Sequence, residues 1–233
     1  MAKQKVKVQV PDSLDEITLG QYQDYLKATE GLDEESDSDK ISELALEHFC
    51  GIKIDDALQL PYSEINKVLG ILSKAFDKDH QLIKFFKLDG VEMGFIPKLD
   101  DMTLGEYVDL DGTINSWEDM HRAMAVLFRP VNKKIGPRYT IAEYEANEEI
   151  PEIMRHMPLN AVFGALVFFY SLGKELSIAT LNYIEKMMET EESSSPLKIR
   201  LEKSGVGINQ FMHSLRVISQ DLMKLPNFRS INV

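Results

Sequence analysis

The 233-residue chain has a single cysteine, Cys50, so no disulfide bond can form within it. This scarcity is typical of proteins that work in a reducing compartment such as a cytoplasm. Cys50 follows the apolar residues Leu46 and Phe49, and we therefore expect it to be a small buried hydrophobic residue. A catalytic thiol is the less favoured interpretation.

Long hydrophobic runs are also missing. A membrane-spanning helix needs roughly 18 consecutive apolar residues, and the longest apolar run, Leu159–Gly173, is shorter and is followed by Lys174. This run predicts a buried core helix. The first residues, Met1–Val8, lack the apolar segment of a signal peptide. We therefore expect no membrane partner.

Positive charge is scarce, because 26 Lys and Arg residues stand against 38 Asp and Glu residues and the formal net charge is −12. Nucleic-acid binding requires clustered positive side chains that displace counterions from phosphates, so a nucleic-acid partner is not expected. An acidic chain favours basic partners. Residues 197–233 differ from the rest, because their net charge is about +4.

Motifs for cofactors and metals are absent from the sequence as well. The 13 glycines are dispersed and form neither a phosphate-binding loop nor a dinucleotide fingerprint. The five histidines lie far apart, and none has a second His or a Cys at metal-ligand spacing. We predict no cofactor, no metal and no enzymatic activity.

The chain does contain one signature used twice. Leu14–Asp24 and Leu99–Asp109 share Leu, Asp, Thr, Leu, Gly, Tyr and Asp at equivalent positions. Each copy predicts a helix start, because a Thr that caps free backbone N–H groups is followed three residues later by a side chain that closes a capping box. The two capping pairs are Thr18 with Gln21 and Thr103 with Glu106.

A strand signal precedes each copy of the signature. Lys5–Val10 alternates polar and apolar residues and predicts an N-terminal strand, while residues 82–96 predict a β-hairpin that turns at Asp89–Gly90. We predict a mainly α fold of the α+β class, in which a helical domain carries this small antiparallel β element. Two diverged repeats of one strand-plus-helices unit explain the shared signature, and chance combined with common capping chemistry is the alternative.

The chain divides into three predicted units. Residues 1–80 form the first strand-plus-helices unit. Residues 81–192 form the second unit, with the hairpin, a capped helix and the long core helix. Residues 193–233 form a linker and a C-terminal amphipathic helix. Within the second unit, Arg129–Arg138 contains Pro and Gly and predicts a basic loop.

Candidate residues for binding a partner come from three places. The apolar face of the C-terminal helix is rich in Leu and Met, which suits a protein partner. The basic loop is where an anion would bind, although a solvated loop is the favoured interpretation. Trp117 favours core packing, with anchoring of a partner as the alternative. The candidates are Phe211, Met212, Leu215, Ile218, Leu222, Trp117, Arg129, Lys133, Lys134 and Arg138.

One short stretch, Val108–Thr113, resembles the nucleophile motif of the haloacid-dehalogenase-like phosphatases. The resemblance implies Asp109 as the nucleophile and Asp111 as the acid and base. That family needs the motif at the end of a buried parallel strand, whereas here it follows a capped helix start. We therefore favour a polar helix end with Gly112 as its C-cap, and the phosphatase is the alternative.

Four segments carry a broader resemblance, and they are Phe95–Leu110, Met124–Pro130, Tyr139–Tyr144 and Leu172–Leu176. Together they look like a group of tailed-bacteriophage proteins associated with virion and tail morphogenesis. The resemblance implies a role similar to that of a tail assembly chaperone or a structural component, with other phage virion or tail proteins as partners and self-association compatible with that role. The implied location is the host cytoplasm during infection, or the virion. An acidic inhibitor of a host nucleic-acid-binding protein is a further alternative.

Overall fold

The computed structural model describes residues 9–78, 80–169 and 171–172. The predicted strand Lys5–Val10 lies outside this part of the chain except for its last two residues, which are not in a strand. The predicted linker and C-terminal helix, residues 193–233, also lie outside it. Five of the candidate partner-binding residues are therefore not described, namely Phe211, Met212, Leu215, Ile218 and Leu222.

Helices form most of the regular structure of the described residues. They are α1 (Leu19–Ala28), α2 (Ser38–Cys50), α3 (Ile54–Ala57), α4 (Tyr62–Phe76), α5 (Leu104–Thr113), α6 (Met120–Leu127) and α7 (Glu149–Met154). A further helix, α8, begins at residue 159 and is described to residue 169. The strands are β1 (Phe85–Leu88), β2 (Val91–Phe95), β3 (Phe128–Ile135) and β4 (Arg138–Ile141). None of the helices in the described ranges is long and apolar enough to cross a membrane.

The four strands form one antiparallel sheet in the order β1-β2-β3-β4. The predicted α+β class with an antiparallel β element is therefore confirmed. The predicted hairpin over 82–96 is also confirmed, because β1 pairs with β2 and the turn residues Asp89 and Gly90 have φ angles of 48° and 83°. Positive φ at both central residues is what a two-residue hairpin turn requires.

The predicted basic loop Arg129–Arg138 is wrong. The segment forms most of the β3–β4 hairpin, which turns at Gly136, where φ is 58°. Pro130 suggested a loop because proline cannot donate a backbone hydrogen bond. Pro130 nevertheless lies in β3, where it pairs with Met93 and its carbonyl accepts a hydrogen bond from Ala142 N at 2.8 Å. The sheet is therefore larger than the sequence indicated.

Both predicted capping boxes are confirmed. The Thr18 hydroxyl accepts from Gln21 N at 3.2 Å, and Thr18 N donates to Gln21 Oε1 at 2.9 Å. In the second copy the Thr103 hydroxyl accepts from Glu106 N at 3.2 Å, and Thr103 N donates to Glu106 Oε2 at 2.6 Å. The expected C-cap at Gly112 is wrong, because this glycine lies inside α5 and Ile114 is the C-cap.

The two copies of the signature face different surroundings. Leu19 and Tyr22 of α1 are buried in the core. Their counterparts Leu104 and Tyr107 in α5 are 80% and 53% exposed. The two helices therefore share the capping chemistry of their first turns but not the packing of their side chains. The duplication stays a hypothesis.

The N-terminal ends of α1 and α8 cap each other. Helix starts leave backbone N–H groups without a partner inside the helix. Here Leu19 N donates to Met157 O at 2.9 Å and Gly20 N donates to Arg155 O at 2.7 Å. In return, the amide nitrogens of residues 159 and 160 donate to Ile17 O and Leu14 O at 2.8 and 3.3 Å. Each helix therefore supplies carbonyl acceptors to the other, and Thr18 and Pro158 form an isolated antiparallel bridge.

The core is built around α8, as the predicted buried helix requires. Phe163 lies 5.6 Å from Tyr22 and 5.8 Å from Trp117 between ring centroids, and both pairs are edge-to-face. Such aromatic pairs contribute about 0.5–1.5 kcal/mol each beyond the burial of their area. The buried cluster contains residues from Leu14 to Phe169, so side chains of both predicted strand-plus-helices units meet in it.

We predict that Gly164→Ala destabilises the protein by about 3 kcal/mol. A Cβ at Gly164 would overlap the backbone carbonyl of Gln81, which cannot rotate away. Gly70→Ala is the matched control, because this exposed glycine in α4 has open space around its Cβ position. There the alanine should stabilise the helix by about 0.5–1 kcal/mol. Urea unfolding followed by circular dichroism measures both changes, and equal effects would contradict the close approach of α8 to residue 81.

Candidate functional site

A groove of about 380 Å³ lies beside α5 and is the candidate functional site. One side is formed by Asp109 and Thr113 of α5, and the floor by residues of α6 and the start of β3. The other side is the irregular segment 142–148, which leads from β4 to α7. The groove therefore lies where the sheet, two helices and an irregular segment meet.

A buried ion pair joins α5 to β3 at this groove. Arg129 Nη1 lies 2.7 Å from Glu106 Oε1, and the two residues are 8% and 4% exposed. Burial acts to raise the pKa of the Glu106 carboxyl, but the hydrogen bonds from Thr103 and the charge of Arg129 outweigh it, so this pKa lies below its usual value. Glu106 thus closes the capping box of α5 and anchors the helix to the sheet.

Arg129 keeps an unused hydrogen-bond donor. Its Nε is buried and has no hydrogen-bond partner among the described residues. A buried donor without an acceptor costs about 1–3 kcal/mol. Arg129 is also one of the residues that line the groove. The groove wall therefore contains a guanidinium group whose hydrogen-bonding capacity is only partly used.

The other polar groups of the groove are largely paired. The Tyr144 hydroxyl donates to Asp109 Oδ2 at 2.7 Å, and burial, together with this bond and the Asp109 charge, raises the pKa of Tyr144 to about 12. Arg122 Nη2 lies 2.7 Å from Glu148 Oε2. Glu143 and Glu145, in contrast, are exposed and form no ion pair within the described part of the chain. The charge left unpaired in the groove is therefore negative.

The two aspartates of the phosphatase-like stretch do not converge. Asp109 and Asp111 lie within α5 instead of at the end of a parallel strand. Positions two apart in a helix point to nearly opposite sides. Asp109 binds the Tyr144 hydroxyl at the groove, while Asp111 is exposed. The geometry on which that resemblance depends is therefore not present at these residues.

The basic candidates are dispersed over the β3–β4 hairpin. Arg129 is buried against Glu106. Lys134 Nζ lies 3.1 Å from Glu92 Oε1 and 3.6 Å from the centroid of the Phe85 ring. Lys133 and Arg138 are exposed. The structure thus does not gather the four positive side chains into one site.

Two aromatic residues, one beside the basic candidates and one a candidate itself, are engaged in packing. Tyr139 packs edge-to-face on Phe85 at 4.6 Å, and its hydroxyl donates to Phe95 O at 2.6 Å. Trp117 packs against Tyr22 at 5.0 Å between ring centroids. This contact agrees with the core interpretation that the sequence favoured for Trp117.

An exposed apolar stripe was missed by the sequence analysis. Leu104, Tyr107 and Val108 are 80%, 53% and 58% exposed and form one side of α5, which we call the α5 face. Their spacing of three and four residues is visible in the sequence. The sequence does not show which way this side of the helix faces, because the equivalent Leu19 and Tyr22 of α1 are buried. The α5 face lies on the side of α5 opposite Glu106, Asp109 and Thr113.

Titratable groups elsewhere show no metal-like arrangement. No group of three His, Cys, Asp or Glu residues that could hold a metal ion occurs within residues 9–78, 80–169 and 171–172. Nδ1 of the buried His121 lies 3.1 Å from Gln23 Nε2. Burial is the main reason that the pKa of His121 is lowered. His121 is therefore a neutral hydrogen-bonding group at neutral pH.

Protein-family models, curated proteins and solved structures were compared with the chain, and none matches. The α5 face and the groove are thus the two features from which a function can be argued.

We predict that Glu106→Gln lowers the free energy of unfolding by about 3 kcal/mol at pH 7, because it leaves the buried Arg129 charge uncompensated. A carboxyl with a lowered folded-state pKa stabilises the fold above its unfolded-state pKa, and this contribution is lost as the pH falls through the folded-state pKa. The difference between native protein and variant should therefore shrink below about pH 4.

Denaturant unfolding at several pH values measures this difference. Glu145→Gln is the matched control, because its carboxylate is exposed and forms no ion pair in the described residues. Its effect should stay within about 0.5 kcal/mol. A loss of similar size in both variants, or a loss for Glu106→Gln that is the same at pH 3 and pH 7, would contradict the role assigned to the buried pair.

We predict slow reaction of Cys50 with a disulfide reagent in the native protein at pH 8. Burial raises the pKa of the Cys50 thiol to about 11, and the thiolate is the reactive form. The rate should be at least about tenfold below that of the same protein in urea. Absorbance of the released thiolate measures both rates, and equal rates would show that Cys50 is accessible and readily ionised.

Proposed function

We propose that this is a non-enzymatic bacteriophage protein that binds other virion or tail proteins during assembly. The resemblance of the four segments to phage morphogenesis proteins supports this role. The α5 face is the structural observation that carries it. The two observations overlap in sequence, because Phe95–Leu110 contains all three residues of the α5 face.

The α5 face has the physical character of a helix side that docks into an apolar groove of a partner. Leu104, Tyr107 and Val108 lie on adjacent turns of one helix side, which is the spacing that an apolar groove of a partner accepts. Fully burying a Leu or Val side chain stabilises a complex by about 1.5–3 kcal/mol. Burying these three neighbouring side chains together therefore makes a favourable apolar contribution to a complex.

The helix that carries this face is held in place from its other side. The Thr103–Glu106 capping box fixes the first turn of α5, and the Glu106–Arg129 ion pair joins that turn to β3. Tyr144 binds Asp109 further along the helix. The α5 face is thus preformed, and a preformed surface loses less conformational entropy when it binds.

We predict that replacing the α5 face with glutamine, by Leu104→Gln, Tyr107→Gln and Val108→Gln together, weakens binding to the phage partner at least tenfold. The substituted side chains are exposed, so the fold should keep its stability within about 1 kcal/mol. The partners to test are the tail-tube and tape-measure proteins of the phage that encodes this chain. Size-exclusion chromatography of the mixtures measures the complex.

The matched control is Leu58→Gln with Tyr62→Gln, because these residues are also large, apolar and exposed, but Leu58 follows α3 and Tyr62 begins α4. This control should bind as the native protein does. Absence of a complex between the native protein and any virion protein would overturn the proposed function. Mass spectrometry of purified virions then distinguishes a transient chaperone from a permanent component.

A further inference from the structure

We propose that the groove beside α5 binds an extended, lysine- or arginine-rich peptide segment of a partner protein, which pairs with the backbone of residues 143–147. The inference rests on the proposed function, because it takes the ligand to be a segment of a partner protein. It deepens that function by naming the chemistry of the partner and a second surface, on the side of α5 opposite the α5 face.

The backbone along one wall of the groove is free to pair. Residues 142–147 belong to no helix or strand. No backbone N–H of residues 143–147 donates to a backbone carbonyl in the described part of the protein. The segment directly continues β4, which is the outer strand of the sheet. An added peptide strand gains main-chain hydrogen bonds at such an edge, and it needs no helical or folded structure of its own.

The charge of the groove selects a basic segment. Each arginine of the groove already faces a carboxylate, Arg122 with Glu148 and Arg129 with Glu106. Glu143 and Glu145 alternate along the free segment, and both are exposed. When the segment pairs with the peptide as a strand, these alternate residues point to the same side. Lys or Arg at every second position of the peptide would therefore meet these two carboxylates, whereas an acidic peptide would be repelled.

The floor of the groove accepts small apolar side chains and offers one donor. Ala125, Val126 and Pro130 line it, which suits the apolar residues that alternate with the basic ones. Arg129 is nine-tenths buried there, and its Nε lacks an acceptor. That nitrogen is shielded from solvent, so a peptide carbonyl reaches it only after a small turn of the guanidinium toward the groove. Binding would then satisfy a donor that the free protein leaves unpaired.

The test uses the full chain and a fluorescently labelled form of the peptide acetyl-Lys-Val-Lys-Val-Lys-Val-amide. Fluorescence anisotropy measures its binding. We expect saturable binding, and we expect at least tenfold weaker binding when Lys is replaced by Glu. The same peptide with an N-methyl group on every peptide bond should also bind at least tenfold more weakly, because it cannot donate main-chain hydrogen bonds. Equal binding of the methylated and unmethylated peptides would overturn strand pairing.

The location of binding is tested with a charge-matched pair of variants. Glu143→Lys with Glu145→Lys should weaken binding at least tenfold. Glu34→Lys with Glu35→Lys makes the same change in net charge on the exposed segment between α1 and α2, and it should leave binding unchanged. If both double variants lose peptide binding equally, the peptide is attracted by the net charge of the protein in general, and the proposed site is overturned. Amide chemical shifts of residues 143–147 should change on titration with the peptide, and their constancy would overturn it as well.

The outcome is separable from that of the proposed function. The glutamine variant of the α5 face should bind the peptide as the native protein does, because its substitutions lie on the other side of α5. If the native protein does not bind the peptide but does form a complex with a virion protein, this inference alone is overturned. If the native protein binds the peptide but forms no complex with any virion protein, the groove remains a peptide-binding site and the phage assembly role is overturned.

Discussion

The reciprocal capping of α1 and α8 is the interaction on which the rest of the structure depends. Four backbone N–H groups, two at each helix start, find carbonyl acceptors beside the other helix start. Unpaired buried donors are costly, so the two helix starts are held together although they are far apart in sequence. This contact places α8 in the centre of the protein, where Phe163 packs against Tyr22 and Trp117. Gly20 fits the arrangement, because a Cβ there would lie only 3.1 Å from Arg155 O.

The second capped helix uses the same local chemistry for a different purpose. In α1 the residue that closes the capping box is Gln21, whose amide also donates to His48 O. In α5 it is Glu106, whose charge is compensated by the buried Arg129. Burying an ion pair is expensive unless both groups are well hydrogen-bonded, and Glu106 gains hydrogen bonds from Thr103 as well. The result is a helix anchored to the sheet on one side that exposes apolar residues on the other.

The two proposed surfaces follow from this anchoring. The α5 face is exposed because the ion pair directs the opposite side of the helix toward the sheet. The groove exists because the segment 142–148 passes α5 at a distance set by Tyr144 and Asp109. Rigid elements thus support one apolar helix face, which suits a groove of a partner, and one unpaired backbone segment, which suits an added peptide strand.

Local structure could be predicted from the sequence by itself. The capping boxes, the Asp89–Gly90 turn and the Gly51 helix end depend on residues within a few positions of each other, and all three are present. Only tertiary structure decided that Arg129 is buried, that Arg129–Arg138 joins the sheet, and that Leu104 and Tyr107 are exposed while Leu19 and Tyr22 are not. The physical reason is that hydrogen bonds in caps and turns are satisfied locally. Burial, strand pairing and compensation of charge depend on which distant residues arrive at the same place.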